Sequence, residues 1–111
     1  MDGSFGGEVL ELYLKTKAGA NAVGEYDPGT KGMVVRKGSI VAPGVHTDGK
    51  FRSASSVIKY RDQYCDGLKV KQDVAFKSAS TAANFVTGRS TNGLITWKNS
   101  DGIILKSLLS E

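Results

Sequence analysis

The chain is poor in the residues from which most active centres are built. Among its 111 residues there is one cysteine, one histidine and one tryptophan. Cys65 has no partner for an internal disulfide. It stands between Tyr64 and Asp66 with no adjacent cation, so it reads as a half-buried structural thiol rather than a nucleophile. His46 sits in a Pro-Gly loop, and its one acidic neighbour, Asp48, precedes a glycine and reads as a turn residue. No nucleophile–base pair is visible, no Cys/His set has zinc-ligand spacing, and the carboxylates are scattered. The glycines fit neither a phosphate-binding loop nor a dinucleotide fingerprint. These absences predict a protein without catalytic residues, metal or cofactor.

Long apolar runs are missing too, so no segment reads as membrane-spanning. No basic segment followed by an apolar one opens the chain, which predicts no secretory leader. With the unpaired thiol, that points to the reducing cytoplasm. The length suits one domain with a modest core. Residues 1–7, "MDGSFGG", are glycine-rich and aperiodic and read as a flexible lead to a single domain over 8–111.

Charge is present but unevenly spread. The net charge is +4; residues 1–50 hold six cations and six acids, residues 51–111 nine cations and five acids. The excess in the second half suits a polyanionic partner.

Periodicity supplies the elements. Val9 to Lys17 alternates, with leucines on one side, and predicts a half-buried strand. Residues 18–32, with Asp27-Pro28-Gly29, read as a long connection, and Met33 to Val41 as a second strand bent at Gly38. "FRSASS" (51–56) and "FKSAST" (76–81) are nearly one phrase written twice. Each reads as a helix start, with Ser53 and Ser78 as N-caps and Phe51 and Phe76 folding back over the first turn. A true duplication is the alternative, but the similarity fades after one turn. The first helix runs Ala54 to Cys65 with Val57, Arg61 and Tyr64 on one face beside Ile58 and Cys65, and Leu68 beyond; the second buries Ala82, Phe85 and Val86 and stops at Gly88. Between them Leu68 to Phe76 reads as a strand, with Leu68, Val70, Gln72 and Val74 alternating. After them Asn92-Gly93 reads as a turn into a strand over Leu94 to Lys98, with Ile95 and Trp97 on one face and Thr96 and Lys98 on the other. Ile103 to Leu109 fits a strand or a short helix. The order β-β-α-β-α-β predicts a small α+β domain with an antiparallel sheet and two helices.

Polar residues gather around the second helix. Lys77, Ser78, Ser80 and Thr81 lie at its start, Arg89, Ser90, Thr91 and Asn92 come after its end, and Trp97 and Lys98 come next. Cations, hydroxyls, an amide and an aromatic are the groups that hold phosphates and stack on bases. Lys77, Ser78, Ser80, Arg89, Ser90, Asn92 and Lys98 are therefore the candidate nucleic-acid-binding residues, with Lys77, Arg89 and Lys98 expected on one face. Structural readings stand beside these: Ser78 as a cap, Asn92 as a turn, Trp97 as core, and Arg89 as a brace to Asp73 or Asp101. The first copy of the phrase reads as scaffold, the second as the site.

"FKSASTAANFVTGRSTNGLITWKNSDGIIL" resembles a bacterial domain family of unknown function whose signature runs Ser-Pro-Ser, paired alanines, Gly-Arg-Ser-Ala-Asn-Gly and Trp-Lys. "AVGEYDPGTKGMVVRKGS" is similar to that family's first half, so the resemblance runs from about Glu11 to Leu109. Ala79 stands for the proline, Thr91 for the alanine, and Leu94 for a residue often large or basic. The family is commonly fused to GIY-YIG nucleases and restriction-modification proteins and is similar to the RAMA (restriction enzyme and adenine methylase associated) domain. The resemblance implies a non-catalytic nucleic-acid-binding module, for DNA in preference to RNA, linked to restriction-modification or mobile-element defence. Its alternative implication is a protein-interaction or dimerisation module that docks a nuclease or methyltransferase.

Overall fold

The computed structural model describes residues 9–46 and 54–110. The expected lead over 1–7, the Phe51 staple and the Ser53 cap lie outside the described residues. Among the described residues six strands and four helices run in the order β1 (Leu10–Lys15), β2 (Asn21–Tyr26), β3 (Met33–Val35), α1 (Ala54–Tyr64), β4 (Cys65–Asp66), β5 (Lys69–Val70), β6 (Val74–Phe76), α2 (Ala79–Thr87), α3 (Gly93–Thr96) and α4 (Leu105–Leu109). The class is α+β. An antiparallel sheet in the order β1-β2-β3-β6 carries the fold, and β4 and β5 form a separate small hairpin.

The alternation of β1 puts Leu12 and Leu14 in the core and leaves Glu11 and Lys15 exposed on the other face, with Tyr13 half-buried between them. The expected long connection over 18–32 is wrong, because β2 lies inside it. Gly24 misleads: in a sequence it suggests a turn, yet here it is a strand residue at a close approach. A Cβ at Gly24 would collide with Met33 Cε and sit 3.3 Å from the Trp97 ring. The Asp-Pro-Gly turn is real and joins β2 to β3. Gly29 N donates to Asp27 Oδ1 at 2.8 Å, and Asp27 N to Gly32 O at 2.9 Å.

The strand expected over Met33 to Val41 stops at Val35. Gly38 takes a φ of 93° and turns the chain, and Ile40 then bridges Asn21 and Lys69. The strand expected from Leu68 to Phe76 is likewise divided, into β5 and β6. Gly67, with a φ of 64°, makes the β4–β5 turn, and Leu68 is left 42% exposed there.

The strand expected at Leu94 to Lys98 is instead the single turn of α3. Asn92 Oδ1 accepts from Leu94 N at 3.0 Å, so Asn-Gly is a helix cap and not a hairpin turn. Helical rotation separates Ile95, 51% exposed, from fully buried Trp97. Lys98 alone keeps strand-like pairing, exchanging backbone bonds with Tyr13 at 2.7 and 3.0 Å. The ambiguous C-terminal stretch ends as the short helix α4. One core joins the inner face of the sheet to Ala82, Ala83, Phe85 and Val86 of α2 and to Trp97 and Leu105. Among the described residues no helix is long and apolar enough to cross a membrane.

Candidate functional site

The start of α2 is occupied by the protein itself. Ser78 Oγ accepts from Thr81 N at 3.1 Å and lies 2.8 Å from Thr81 Oγ1, which makes it the expected cap. Ser80 Oγ accepts from Gly93 N at 2.9 Å, and Trp97 Nε1 donates to Ala79 O at 3.0 Å. A Cβ at Gly93 would collide with the backbone of Ala79 and Ser80. Ser80, Gly93 and Trp97 therefore lock α3 against the first turn of α2. The oxygens of Ser78 and Ser80 thus serve the fold as acceptors, and among the described residues the Ser80 hydroxyl donates to no partner.

The end of α2 is closed by a different set. Gly88 takes a φ of 75° as the C-cap, and its N–H donates to Asn84 O at 2.8 Å. A side chain there would strike the Gly44 carbonyl. Half-buried Arg61 reaches across from α1: Nε and Nη2 donate to Phe85 O at 3.0 and 2.9 Å, Nη2 to Val86 O at 3.2 Å, and Nη1 to Gly44 O at 2.9 Å. A cation at the negative end of a helix is favourably placed, although burial lowers its pKa from the ordinary arginine value. The end of α2 is thus braced by Arg61 through backbone carbonyls, not by the pairing with Asp73 or Asp101 that was the structural alternative for Arg89. His46 is exposed, and its backbone N–H donates to Gly88 O at 2.8 Å; Asp48 lies outside the described residues. Burial raises the Cys65 thiol above its ordinary pKa. Among the described residues no three His, Cys, Asp or Glu side chains are grouped to hold a metal.

What remains open is a basic strip. Arg89 and Ser90 are exposed just beyond α2, and among the described residues no carboxylate lies within ion-pair distance of Arg89. Asp73, one of its expected partners, instead lies 3.9 Å from Arg36 and accepts from Lys37 N. Arg89 and Lys17 line a groove of about 410 Å³ with Thr16, Thr87, Thr91 and Thr96. A second hollow of about 220 Å³ holds Lys15, Lys98, Tyr13 and Asn99, and Thr96 lines it as well. The two meet at Thr96, and among the described residues no carboxylate lines either.

Arg89 and Lys98 thus adjoin through one residue, whereas Lys77 does not join them. It lines a separate cleft of about 340 Å³ between α1 and α2, beside Tyr60, Phe76 and Asn84. Asn92 is exposed beside the strip with its oxygen engaged by Leu94 N. Thr87, Thr91 and Thr96 spend their hydroxyls on one another or on backbone carbonyls. Thr16 Oγ1 accepts from Ala20 N at 3.2 Å, which leaves its proton available. Lys15 and Lys17 were missed in the sequence because they belong to the electrically neutral half. The outward phase of Lys15 on β1 was the available signal.

A model of the family described as a domain of unknown function (DUF4357) matches residues 12–109, and the chain belongs to that family. No curated protein and no solved structure matches.

Proposed function

We propose that this DUF4357 chain is a non-catalytic nucleic-acid-binding module whose contact surface is the strip formed by Lys15, Lys17, Arg89 and Lys98. One observation carries the reading. The fold draws cations from both halves of the chain onto two adjoining hollows that no acid lines among the described residues. Cations without carboxylate partners attract a polyanion, and phosphate contacts of this kind give affinity without sequence preference. The resemblance to restriction-associated domains favours DNA over RNA and a setting beside a nuclease or methyltransferase subunit.

The decisive measurement is the salt dependence of binding to a labelled DNA by fluorescence anisotropy. Four phosphate contacts predict a slope of log K against log salt of about −3 on a single strand and about −3.6 on a duplex. A slope near zero, or no binding at low salt, defeats the reading. A second reading, docking to a protein partner, is favoured by Leu94 and Ile95 on α3 and Leu109 on α4, all exposed although apolar. Docking through apolar surface would keep its strength as salt rises.

A further inference from the structure

We infer that Tyr13 is a stacking platform for an unpaired base, so that the strip reads single-stranded nucleic acid in preference to duplex. This rests on the nucleic-acid reading above and specifies its substrate class. The observation is the placement of one ring. The β1–β2–β3–β6 sheet buries one face, and the other faces solvent, with Tyr13 on it. Tyr13 and Lys98 are direct antiparallel partners that exchange two backbone hydrogen bonds. Side chains at such a pair leave the sheet on the same side, roughly 5 Å apart. Lys15 lies two residues along the same strand on the same face, about 7 Å away. On the opposite flank the cross-strand neighbour is Val23. An aromatic ring thus stands beside two cations, in the hollow that Lys15 and Lys98 line.

The ring is also held in place. Tyr13 Oη donates to Glu11 Oε1 at 2.7 Å, and this bond to a carboxylate, ahead of burial and the charge of Glu11, raises the phenol above its ordinary pKa. Glu11 marks the acidic limit of the strip. A base laid on the ring would place its own backbone near the Lys15 and Lys98 ammonium groups, with Lys17 and Arg89 continuing the path beyond Thr96. Bases in a duplex are already stacked and have no free face to offer, whereas every unpaired base has one.

Three probes test this by anisotropy: a mixed-sequence single-stranded DNA, an RNA of the same sequence, and the DNA duplex. Single strands bind more tightly than duplex, and the better of the two identifies DNA or RNA as the natural source. Tyr13→Ala weakens single-strand binding at least about fivefold and duplex binding by less than about twofold. Tyr13→Leu, which keeps bulk on the strand but has no aromatic face, behaves like Tyr13→Ala, and Tyr13→Phe keeps full binding. Duplex preference, or single-strand affinity unchanged in Tyr13→Leu, overturns the stacking role and leaves the nucleic-acid reading standing. Failure of all three probes to bind overturns both.

Discussion

The phrases at 51–56 and 76–81 are almost the same, yet the helices that begin at Ala54 and Ala79 end in opposite situations. α1 buries only Val57, whereas α2 buries Ala79, Ala82, Ala83, Phe85 and Val86. A serine and a few small residues specify how a helix begins; its place in the fold is decided by the residues beyond the first turn. After the shared phrase α2 supplies two alanines, Ala82 and Ala83, small enough to let its backbone approach the sheet. α1 supplies Lys59, Asp62 and Gln63, which stay in water, and holds on through a narrow stripe. Tyr60 in that stripe lies 5.1 Å from the Phe76 ring and 5.8 Å from that of Tyr64, and Arg61 supplies the polar attachment.

The largest effect that sharpens this comparison is in the α2 layer. Phe85→Ala and Trp97→Ala are each expected to cost about 3–5 kcal/mol in urea unfolding, as large aromatics removed from a packed core do. Ile58→Ser on α1, at a position 40% exposed, is expected to change stability by less than about 0.5 kcal/mol. A comparable loss at Ile58 would mean that α1 is as deeply integrated as α2.

Next comes the link between the two helices. Arg61→Met keeps most of the apolar stem but abandons the carbonyls of Phe85, Val86 and Gly44. Charge-assisted bonds of this kind make the expected loss about 1.5–3 kcal/mol. Arg61→Lys, with a point charge in place of a planar fork, should recover only part of it. A melting temperature unchanged in Arg61→Met would show that the end of α2 is closed by Gly88 and the 42–46 segment alone. Smaller again is the cap: Ser78→Ala should cost about 1 kcal/mol, and no measurable loss would show that Thr81 takes over its role.

The same residues mark how far the fold was legible in the sequence. The period of β1 and the cap-to-glycine span of α2 were readable because local propensity and burial agree there. Gly24 and Gly93 were not readable. Each is a glycine because another segment presses on its Cα, Trp97 and Met33 on one and the first turn of α2 on the other. Such contacts are tertiary and leave only an ambiguous mark in a local reading. The site divided in the same way. Ser78 and Ser80 looked like anion donors because hydroxyls at a helix start serve caps and ligands alike. Only the position of Gly93 N shows that the Ser80 oxygen holds α3 in place. Lys15 and Lys17 were hidden because charge was counted along the chain, whereas the strip is assembled across it.

The smallest effect on stability is expected at Arg89, and it separates the two arginines at the end of α2. Arg61 is half-buried and spent on backbone carbonyls; Arg89 is exposed, and among the described residues it has no carboxylate partner. Arg89→Ala should therefore unfold within about 0.5 kcal/mol of the parent chain. If Arg89 meets a phosphate, the same variant should bind nucleic acid more weakly, with a salt slope reduced by about one unit. Lys17→Ala, across the same groove, should behave alike. Lys77→Ala, in the separate cleft between α1 and α2, should leave the slope unchanged. Equal losses at Lys77 and Arg89 would show that the positive charge acts as a diffuse field, and the strip would lose its claim to be a site. A stability loss at Arg89 as large as that at Arg61 would make Arg89 a second brace and remove it from the contact surface.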